Sequence, residues 1–382
     1  MIYLDNAATT WPKPKEVKEA MCLAMDDYAF NPGRGRYRGA LSTSGKVQHT
    51  RDLLAQLFGI ADSHRIVFTV NATMAINMAL QGMLNPGDHV ITTSIEHNAV
   101  WRPLKYLQRR GVELTVINCE LDGTIDAEQI RLALRTNTKL IVSTHASNVL
   151  GTIEPIAAIG KIAREHNVAY LVDAAQTAGV IPINVEEMCI DLLAFPGHKG
   201  LLGPQGTGGL YVGPRVNPQP LLQGGTGNNS EQDYQPEAFP EKLESGTLNT
   251  VGIVGLGAGI EHLLATGIDN IYTYELNLCK LLVKGLRQIE NVQIYGVDDW
   301  QARVPLVSLN LGKHNSNEVG YILDRIYQIW VRTGLHCAPQ AHRTMHTLEQ
   351  GCIRVSPSNF TTQSEIESFV QAIEEINEEL RG

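Results

Sequence analysis

The sequence predicts an α/β protein whose mostly parallel sheet is covered by helices on both faces, followed by a smaller α+β domain. Between about residues 65 and 212, short β-branched apolar runs alternate with amphipathic stretches. The runs are nearly all apolar, which is typical of strands buried on both faces. With 382 residues, the chain is long enough to form two cores. Seven strands are predicted, at residues 65–70, 88–94, 113–119, 139–144, 169–173, 191–195 and 208–212.

The next elements follow from local patterns. Residues 127–135 form an amphipathic stretch, and Asp126 and Gln129 have the spacing of a capping box at its start. Residues 213–250 are rich in Gly, Pro, Asn and Gln, and therefore predict a long loop after the last strand of the first domain.

The second domain is predicted from a helix near residue 251 and strands near residues 292–295 and 304–310. The chain closes with a helix whose apolar residues have the spacing of one helical face: Ile366, Phe369, Val370, Ile373 and Ile376. The predicted organisation is an N-terminal segment of residues 1–15, a large domain of residues 16–254 and a small domain of residues 255–382.

Composition and charge exclude several classes of function. The net charge of −9 argues against a nucleic-acid-binding protein, because contact with phosphates needs a basic surface. No apolar run approaches the length of a membrane span, and no signal peptide is evident. The cysteines have no CxxC spacing, which indicates reduced thiols: Cys22, Cys119, Cys189, Cys279, Cys337 and Cys352. We expect a cytoplasmic protein with no membrane and no nucleic-acid partner.

Lys199 and Asp173 form the most informative pair of residues. Asp173 ends the apolar run 169–173, and Lys199 follows the next predicted strand within Gly197-His198-Lys199. Pyridoxal phosphate (PLP) needs both groups, an amine that forms a Schiff base and a carboxylate that keeps the ring nitrogen protonated. Taken alone, the pair fits a strand-end Asp and a surface-loop Lys equally well.

Residues 71–77 open a helix directly after the first predicted strand. Free N–H groups at a helix N-terminus form an anion site, and the hydroxyl of Thr73 adds a donor suited to a phosphate. A plain N-cap fits the same pattern.

Three further polar residues, His97, Asn148 and Gln176, also follow predicted strand ends. Active groups in such sheets collect beyond the carboxyl ends of the strands. The imidazole of His97 could stack on a pyridine ring and move a proton, although a solvated loop histidine is the common alternative. The amides of Asn148 and Gln176 could donate hydrogen bonds to the phenolic oxygen of a cofactor.

The chain resembles the class V aminotransferases, a group of fold-type I PLP enzymes, and within them the cysteine desulfurases. The resemblance covers nearly the whole length. It rests on Tyr3-Leu4-Asp5-Asn6-Ala7-Ala8-Thr9-Thr10, Glu96-His97-Asn98, Asp173-Ala174-Ala175-Gln176, Gly197-His198-Lys199, Glu244-Ser245-Gly246-Thr247 and Arg332-Thr333-Gly334-Leu335-His336-Cys337-Ala338.

The resemblance implies a role for each matched residue. Lys199 is then the Schiff-base lysine, Asp173 pairs with the ring nitrogen, and His97 stacks on the ring and acts in catalysis. The implied cofactor-binding residues are Thr73, Ala72, His97, Asn148, Asp173, Gln176, His198, Lys199 and Thr247. Thr73 and His198 bind the phosphate, and Thr247 reaches the phosphate of a neighbouring subunit, which implies a homodimer with shared active sites.

Two residues decide the implied substrate. Arg354 matches the family's arginine for the substrate carboxylate, which a planar guanidinium binds bidentately; a surface strand arginine is the alternative. Asn148 and Ala8 complete the implied substrate contacts. Cys337 matches the nucleophile that takes sulfur from cysteine, and nearby Arg332 and His336 favour a depressed thiol pKa. The other five cysteines are expected to be inert buried thiols.

The sequence around Cys337 is similar to that of the Suf-type subgroup, whose members carry this cysteine on a short structured loop. The sequence departs from that pattern at three positions. Leu335 stands where a His is usual, Pro196 where a phosphate-binding Ser is usual and Ala72 where a Thr is usual. The last two departures leave fewer hydroxyl groups for the phosphate.

The leading interpretation is an L-cysteine desulfurase that delivers sulfur to an acceptor protein. One alternative is a selenocysteine lyase, acting on L-selenocysteine, or another class V transaminase or lyase. A second is a catalytically silent PLP-fold scaffold, against which Lys199, Asp173, His97 and Arg354 together argue. The basic cluster Arg34, Arg36 and Arg38 fits either the border of the active-site entrance or a solvated loop.

Overall fold

The computed structural model describes residues 1–32, 35, 37–227 and 231–380. The strands in chain order are β1 (Ile2–Tyr3), β2 (Ile66–Thr69), β3 (His89–Thr93), β4 (Glu113–Ile117), β5 (Thr138–Thr144), β6 (Ala169–Asp173), β7 (Leu192–Pro196), β8 (Gly208–Val212), β9 (Val292–Tyr295), β10 (Val307–Leu311), β11 (Ile329–Trp330), β12 (Arg332–Gly334) and β13 (Cys352–Val355). Of the basic cluster, Arg34 and Arg36 lie outside the described residues.

The helices connect these strands and cover the sheets. In chain order they are α1 (Lys15–Asp27), α2 (Arg38–Phe58), α3 (Ala72–Met83), α4 (Asn98–Gln108), α5 (Ala127–Leu132), α6 (Ile156–Glu165), α7 (Thr250–Thr266), α8 (Ile268–Leu286), α9 (Ser316–Arg325), α10 (Pro339–Thr344) and α11 (Gln363–Glu379). Short 3-10 turns lie at Ser63–Arg65 and Trp300–Ala302.

A seven-stranded sheet with the order β2-β8-β7-β6-β5-β3-β4 forms the centre of the first domain. The strands from β7 to β4 in this order are parallel, and β8 runs antiparallel to both of its neighbours. The predicted mostly parallel sheet is confirmed. The first and last residue of each of its seven strands lie within two residues of the predicted positions.

Helices cover the sheet on both faces because successive side chains of a strand point in opposite directions. In β5, Ile141 packs into the core formed with α2, α6 and α7, whereas Leu140 and Val142 pack into the opposite core with α3 and α4. Full burial of such a side chain contributes about 1.5–3 kcal/mol. The continuous apolar runs in the sequence are therefore explained by burial on two sides.

The amphipathic stretch at residues 127–135 is only partly helical. Helix α5 ends at Leu132, and the Asp126 carboxylate accepts a hydrogen bond from the Glu128 N–H instead of forming the predicted capping box with Gln129. A capping box is present at the start of α11, where Thr362 and Glu365 satisfy each other's backbone N–H groups.

The described residues between β8 and α7 form a long segment without helix or strand, as predicted. Buried charges hold this segment in place. The Glu244 carboxylate accepts hydrogen bonds from Arg51 Nη1 at 2.9 Å and from the Phe68 N–H at 2.6 Å. The fully buried Lys242 donates to Asn217 Oδ1 at 2.8 Å. The segment that carries Thr247 is therefore anchored beside β2.

The second domain is built on a four-stranded antiparallel sheet with the order β12-β13-β10-β9. Helices α8 and α11 bury their apolar faces against it. Strand β1 pairs in parallel with β11, and Leu4 lies in the same core, so the N-terminal segment packs with the C-terminal domain. Strand β10 begins at Val307, later than the predicted start at residue 304.

The predicted division between residues 254 and 255 falls inside helix α7. Residues on both sides of it, such as Ile253 and Leu256, pack into the core of the large domain, whereas Leu278 and Leu282 of α8 pack into the core of the second domain. We therefore propose that the division follows α7.

No single helix in the described ranges is long and apolar enough to cross a membrane. Helices α7 and α8 pass that test of length and composition only as a pair, and they are bent by 81° at the break between them.

Candidate active site

Polar side chains from five strand ends meet at one edge of the central sheet, where β2, β3, β5, β6 and β7 all end. They line a cavity of about 160 Å³. Its walls are Asn71, Ala72, Thr73, His97, Ala99, Thr144, Ala146, Asn148, Asp173, Ala175, Gln176, Pro196, His198 and Lys199. With the exception of Thr247, every residue that the sequence suggested for cofactor binding lies at this cavity.

Lys199 and Asp173 supply an amine and a carboxylate to the cavity. Asp173 is the last residue of β6 and is buried, and its Oδ1 accepts a hydrogen bond from the Ala175 N–H at 2.9 Å. Burial raises the pKa of Asp173, while this hydrogen bond and the charge of Lys199 oppose the rise. Desolvation, with the charge of Arg354, lowers the pKa of Lys199 to about 8. The amine therefore loses its proton more readily than an exposed lysine.

His97 caps helix α4 with its side chain. Its Nδ1 accepts a hydrogen bond from the Ala99 N–H at 3.0 Å, so the proton of the neutral ring lies on Nε2. Burial, followed by the charges of Lys199 and Arg332, lowers the pKa of His97 to about 4. The ring is therefore neutral at neutral pH, and its donor nitrogen is defined.

The first turn of α3 borders the cavity and offers an anion site. The Asn71 side chain accepts a hydrogen bond from the Met74 N–H at 2.9 Å, and Ala72 and Thr73 begin the helix. Nearby, the buried Nδ1 of His198 has no hydrogen-bond partner among the described residues. Burial lowers the pKa of His198 to about 4. Pro196 also lines this wall and has neither a hydroxyl nor an N–H to donate.

The two amides at the cavity already use one donor each. Asn148 Nδ2 donates to the His336 carbonyl at 2.7 Å, and Gln176 Nε2 donates to the Ala7 carbonyl at 3.2 Å. Each amide nitrogen carries a second hydrogen. The expected hydrogen bonds to a phenolic oxygen stay predictions.

Arg354 is 2% exposed, so the alternative of a surface strand arginine is wrong. Its Nη2 lies 2.7 Å from Asp5 Oδ1, and its Nη1 donates to the Asn148 carbonyl at 3.0 Å. Its Nε has no partner among the described residues. Desolvation lowers the pKa of Arg354, and Asp5 opposes that effect. No local pattern in the sequence pairs Asp5 with β13, so this ion pair is visible only in the structure.

Cys337 is exposed on the turn between β12 and α10. Its carbonyl accepts a hydrogen bond from the Asn98 N–H at 2.7 Å, which ties the turn to the residue after His97. Arg332 Nη2 lies 3.9 Å from its Sγ. Cys337 lines a wide cavity of about 610 Å³ whose other walls include Thr73 and His97. Because Thr73 and His97 also line the cavity of Lys199, the two cavities adjoin.

The expectation that His336 provides positive charge beside Cys337 is wrong. The His336 side chain is buried, and its Nε2 lies 3.1 Å from the Cys352 carbonyl and 3.2 Å from Cys352 Sγ. Burial lowers the pKa of His336 to about 2, so the ring is neutral. Of the two predicted neighbours, only Arg332 brings a charge to the thiol.

The expectation that the other five cysteines are all buried is wrong. Cys22 is exposed and Cys189 is partly exposed, whereas Cys119, Cys279 and Cys352 are buried. Burial raises the pKa of each of these three thiols to about 12. They are therefore protonated at neutral pH.

Ala8 and Thr247 lie apart from the cavity of Lys199. The Ala8 N–H donates to the Asp5 carbonyl in the N-terminal turn, and it is the preceding Ala7 that lines a cavity with Lys199. Thr247 is exposed and lines a different cavity with Arg51 and Glu244.

Known proteins resemble this chain over almost its full length. The aminotransferase class-V family model matches residues 2–369. A probable cysteine desulfurase of Methanothermobacter thermautotrophicus is 38% identical, with 98% of this chain and 94% of that protein covered. The apo structure of a cysteine desulfurase from Thermococcus onnurineus superposes with a TM-score of 0.93 at 33% identity, covering 99% of this chain and 95% of that one. The Escherichia coli cysteine desulfurase CsdA superposes with a TM-score of 0.88 at 28% identity, covering 99% and 94%.

Proposed function

Because the chain belongs to the aminotransferase class-V family and is a cysteine desulfurase, we propose that it holds PLP at Lys199 and carries the sulfur of L-cysteine on Cys337. The observation that carries the proposal is the position of the exposed Cys337 thiol in a cavity adjoining the one lined by the Lys199 amine and the buried Asp173 carboxylate. The family consists of PLP enzymes. In this chain, PLP binding is supported by the residues that line the cavity of Lys199, the inner cavity.

The inner cavity fits the chemical groups of PLP one by one. Lys199 offers the amine for the aldehyde, and Asp173 offers a carboxylate for the ring nitrogen. The N-terminus of α3 and the unpartnered Nδ1 of His198 suit the phosphate. Because Ala72 and Pro196 have no hydroxyl group, the donors that remain for the phosphate are the Thr73 hydroxyl and backbone N–H groups. When bound, PLP supplies an electron sink for the carbon atoms of the substrate.

Arg354 is the proposed partner of the substrate carboxylate. In the structure Asp5 engages its Nη2, so a substrate carboxylate would compete with Asp5 or use the unpartnered Nε. A buried guanidinium keeps one charged partner in either state, which avoids an isolated buried charge. Asp5 therefore acts as a positioning residue for Arg354.

Lys199 and His97 are the groups that can hold a proton near the reacting carbon atoms. The Lys199 amine, with a pKa of about 8, exchanges a proton near neutral pH. His97 holds its proton on Nε2, since Nδ1 is occupied by the Ala99 N–H. We propose that Lys199 moves the proton and that His97 orients the ring by stacking.

Cys337 is the proposed acceptor of sulfur. Its thiolate forms an S–S bond to the substrate sulfur while the substrate C–S bond breaks. The electron pair of that bond goes to carbon, which gains a proton and leaves as alanine, and Cys337 becomes a persulfide. The Arg332 guanidinium lies 3.9 Å from Cys337 Sγ. An acceptor protein can reach the persulfide because Cys337 is exposed.

We also propose a homodimer in which Thr247 of each subunit completes the phosphate site of the other. Its position outside the cavity of its own Lys199 supports this arrangement. The anchored segment around Glu244 would hold Thr247 in place for that contact. A cytoplasmic location is proposed from the free thiols of the six cysteines.

The test compares alanine and sulfide release from L-cysteine, with and without a thiol reductant, in Cys337→Ala and in the matched variant Cys22→Ala. Cys22 is also exposed but lies on α1. We expect Cys22→Ala to match the wild type and Cys337→Ala to lose about a hundredfold or more of its alanine release while keeping PLP. Equal loss in both variants, or no loss in Cys337→Ala, would reject the role of Cys337.

A further inference from the structure

We propose that His336, His342 and Cys352 form a metal site that binds one Zn²⁺ ion behind the turn that carries Cys337. The ligating atoms of the three side chains lie within 4.8 Å of one another, and all three residues are buried. Among the described residues, this is the only group of three or more His, Cys, Asp and Glu side chains with that geometry. The site is separate from the proposed desulfurase chemistry.

Buried imidazole nitrogens without partners point to a ligand at this place. His342 is 0% exposed and its Nε2 has no partner among the described residues, and the same holds for Nδ1 of the buried His336. Buried polar atoms in folded proteins are nearly always satisfied. A cation bound among these side chains would satisfy His342 Nε2.

The surroundings of the three side chains suit a metal. His342 Nδ1 lies 2.8 Å from the Thr347 hydroxyl, so that contact orients the ring and leaves Nε2 for the ion. His336 Nε2 lies 3.2 Å from Cys352 Sγ, and the two imidazole rings are 5.7 Å apart. Ligand atoms of a tetrahedral zinc site are separated by roughly 3.5 Å. Small side-chain rotations therefore bring the three atoms into coordination.

The ligand set selects a borderline-soft cation. Two imidazoles and one thiolate match Zn²⁺, whereas Mg²⁺ and Ca²⁺ prefer oxygen ligands. The thiol of Cys352 gives up its proton to solvent when the metal binds, with no change in oxidation state. Three protein ligands leave one position for water.

The proposed ion would join three elements that meet at the active site. His336 precedes Cys337 in the turn, His342 lies in α10, and Cys352 lies in β13 two residues before Arg354. His336 and Cys337 both have left-handed backbone conformations, with φ of 48° and 58°, which non-glycine residues adopt at a cost. The ion would hold this turn in place relative to Arg354.

The experiment measures zinc binding to the PLP-loaded enzyme. The protein is equilibrated with ZnCl₂ and a competing chromogenic chelator, and bound zinc is counted by elemental mass spectrometry. The variants are Cys352→Ser and His342→Gln, with Cys22→Ser and Cys337→Ser as matched controls that remove a thiol elsewhere. PLP absorbance and circular dichroism report that each variant is folded.

We expect one zinc ion per chain in the wild type and both controls, and affinity weaker by about tenfold or more in Cys352→Ser and His342→Gln. Equal zinc affinity in wild type and Cys352→Ser would overturn the proposal, as would no zinc retained by the wild type.

A second measurement does not depend on the folding of the site variants. X-ray absorption at the zinc edge of Cys337→Ser should show one sulfur and two imidazole nitrogens around the ion. A shell without sulfur, or with more than one sulfur, would contradict the assignment.

Discussion

The pocket of Lys199 and the turn of Cys337 are built in opposite ways. Asp173 is the last residue of the buried strand β6, which is paired on both sides, and Lys199 follows the end of the buried strand β7 by three residues. Cys337 lies on an exposed turn with left-handed backbone between a three-residue strand and a six-residue helix. The two regions adjoin through shared cavity walls, including Thr73 and His97, and through the hydrogen bond from Asn148 Nδ2 to the His336 carbonyl.

The difference follows from what each region has to do. A group that holds or moves a proton benefits from a dry environment that shifts its pKa, as burial does for Lys199. A group that passes sulfur to another protein has to remain accessible, and Cys337 is exposed. In the proposed mechanism, chemistry on the substrate and delivery of sulfur are therefore placed in different domains.

The largest expected effect is the loss of the inner pocket's chemistry in Lys199→Ala. Without the amine, the yellow absorbance of lysine-bound PLP should disappear and alanine release should fall by about a thousandfold or more. The exposed Lys161→Ala on α6 is the matched control and should behave as the wild type. Full turnover by Lys199→Ala would show that the Lys199 amine is not needed for the reaction.

A smaller effect is expected at the junction of the two regions, in Arg354→Lys. The ammonium of lysine replaces the planar guanidinium, which can bind a carboxylate with two hydrogen bonds. KM for cysteine should therefore rise by about ten- to a hundredfold while kcat changes less. Asp5→Asn is the complementary variant, because its amide oxygen can still accept the hydrogen bond that positions Arg354 while the competing charge at 2.7 Å is removed, so KM should not rise. If both variants raised KM equally, the negative charge of Asp5 would itself be needed to position Arg354.

A several-fold effect is expected for Thr247→Ala. If the residue completes the site of a second subunit, PLP should dissociate faster while the free energy of unfolding of the subunit changes little. Dialysis followed by absorbance measures the retained PLP, and sedimentation measures the oligomeric state. An active monomer would contradict the shared site. Unchanged PLP retention would show that Thr247 does not contribute to the phosphate site.

The smallest expected effect is a change in the pH dependence of stability in Glu96→Gln. Burial raises the pKa of Glu96 to about 8 from its ordinary 4.5. Between these values the folded state binds the extra proton, so the free energy of unfolding falls as pH rises, by up to about 1.4 kcal/mol per pH unit. A glutamine carbonyl can accept the same hydrogen bonds from Thr93 and Thr144.

Urea unfolding at pH 6 and pH 8.5 measures this effect. Glu96→Gln should gain stability relative to the wild type at the higher pH, and the exposed control Glu367→Gln should not. A parallel pH profile for Glu96→Gln and wild type would show that Glu96 does not bind the extra proton.

The central sheet and its pocket could be predicted from sequence because their signals are local. Most strands of the central sheet carry an apolar run; Asp173 ends one of these strands, and Thr73, His97 and Asn148 follow others within a few residues. Parallel strands bring such positions to one edge. Family resemblance then added Cys337 and Arg354.

Contacts between distant parts of the chain could not be predicted. The ion pair of Asp5 with Arg354 depends on the pairing of β1 with β11, and both of these strands have only two residues. The neutral state of His336 depends on burial against Cys352, and no local pattern reports burial in a turn. The proposed role of Thr247 involves a second subunit, which one sequence does not describe.

The most direct test of the proposed function locates the sulfur atom that the enzyme takes from L-cysteine. The wild type is mixed with L-cysteine without reductant, and the exposed thiols are alkylated before peptide mass spectrometry. We expect one added sulfur on the peptide of Cys337 and none on that of the exposed Cys22. Added sulfur on other cysteines with none on Cys337, or full turnover without any persulfide, would contradict it.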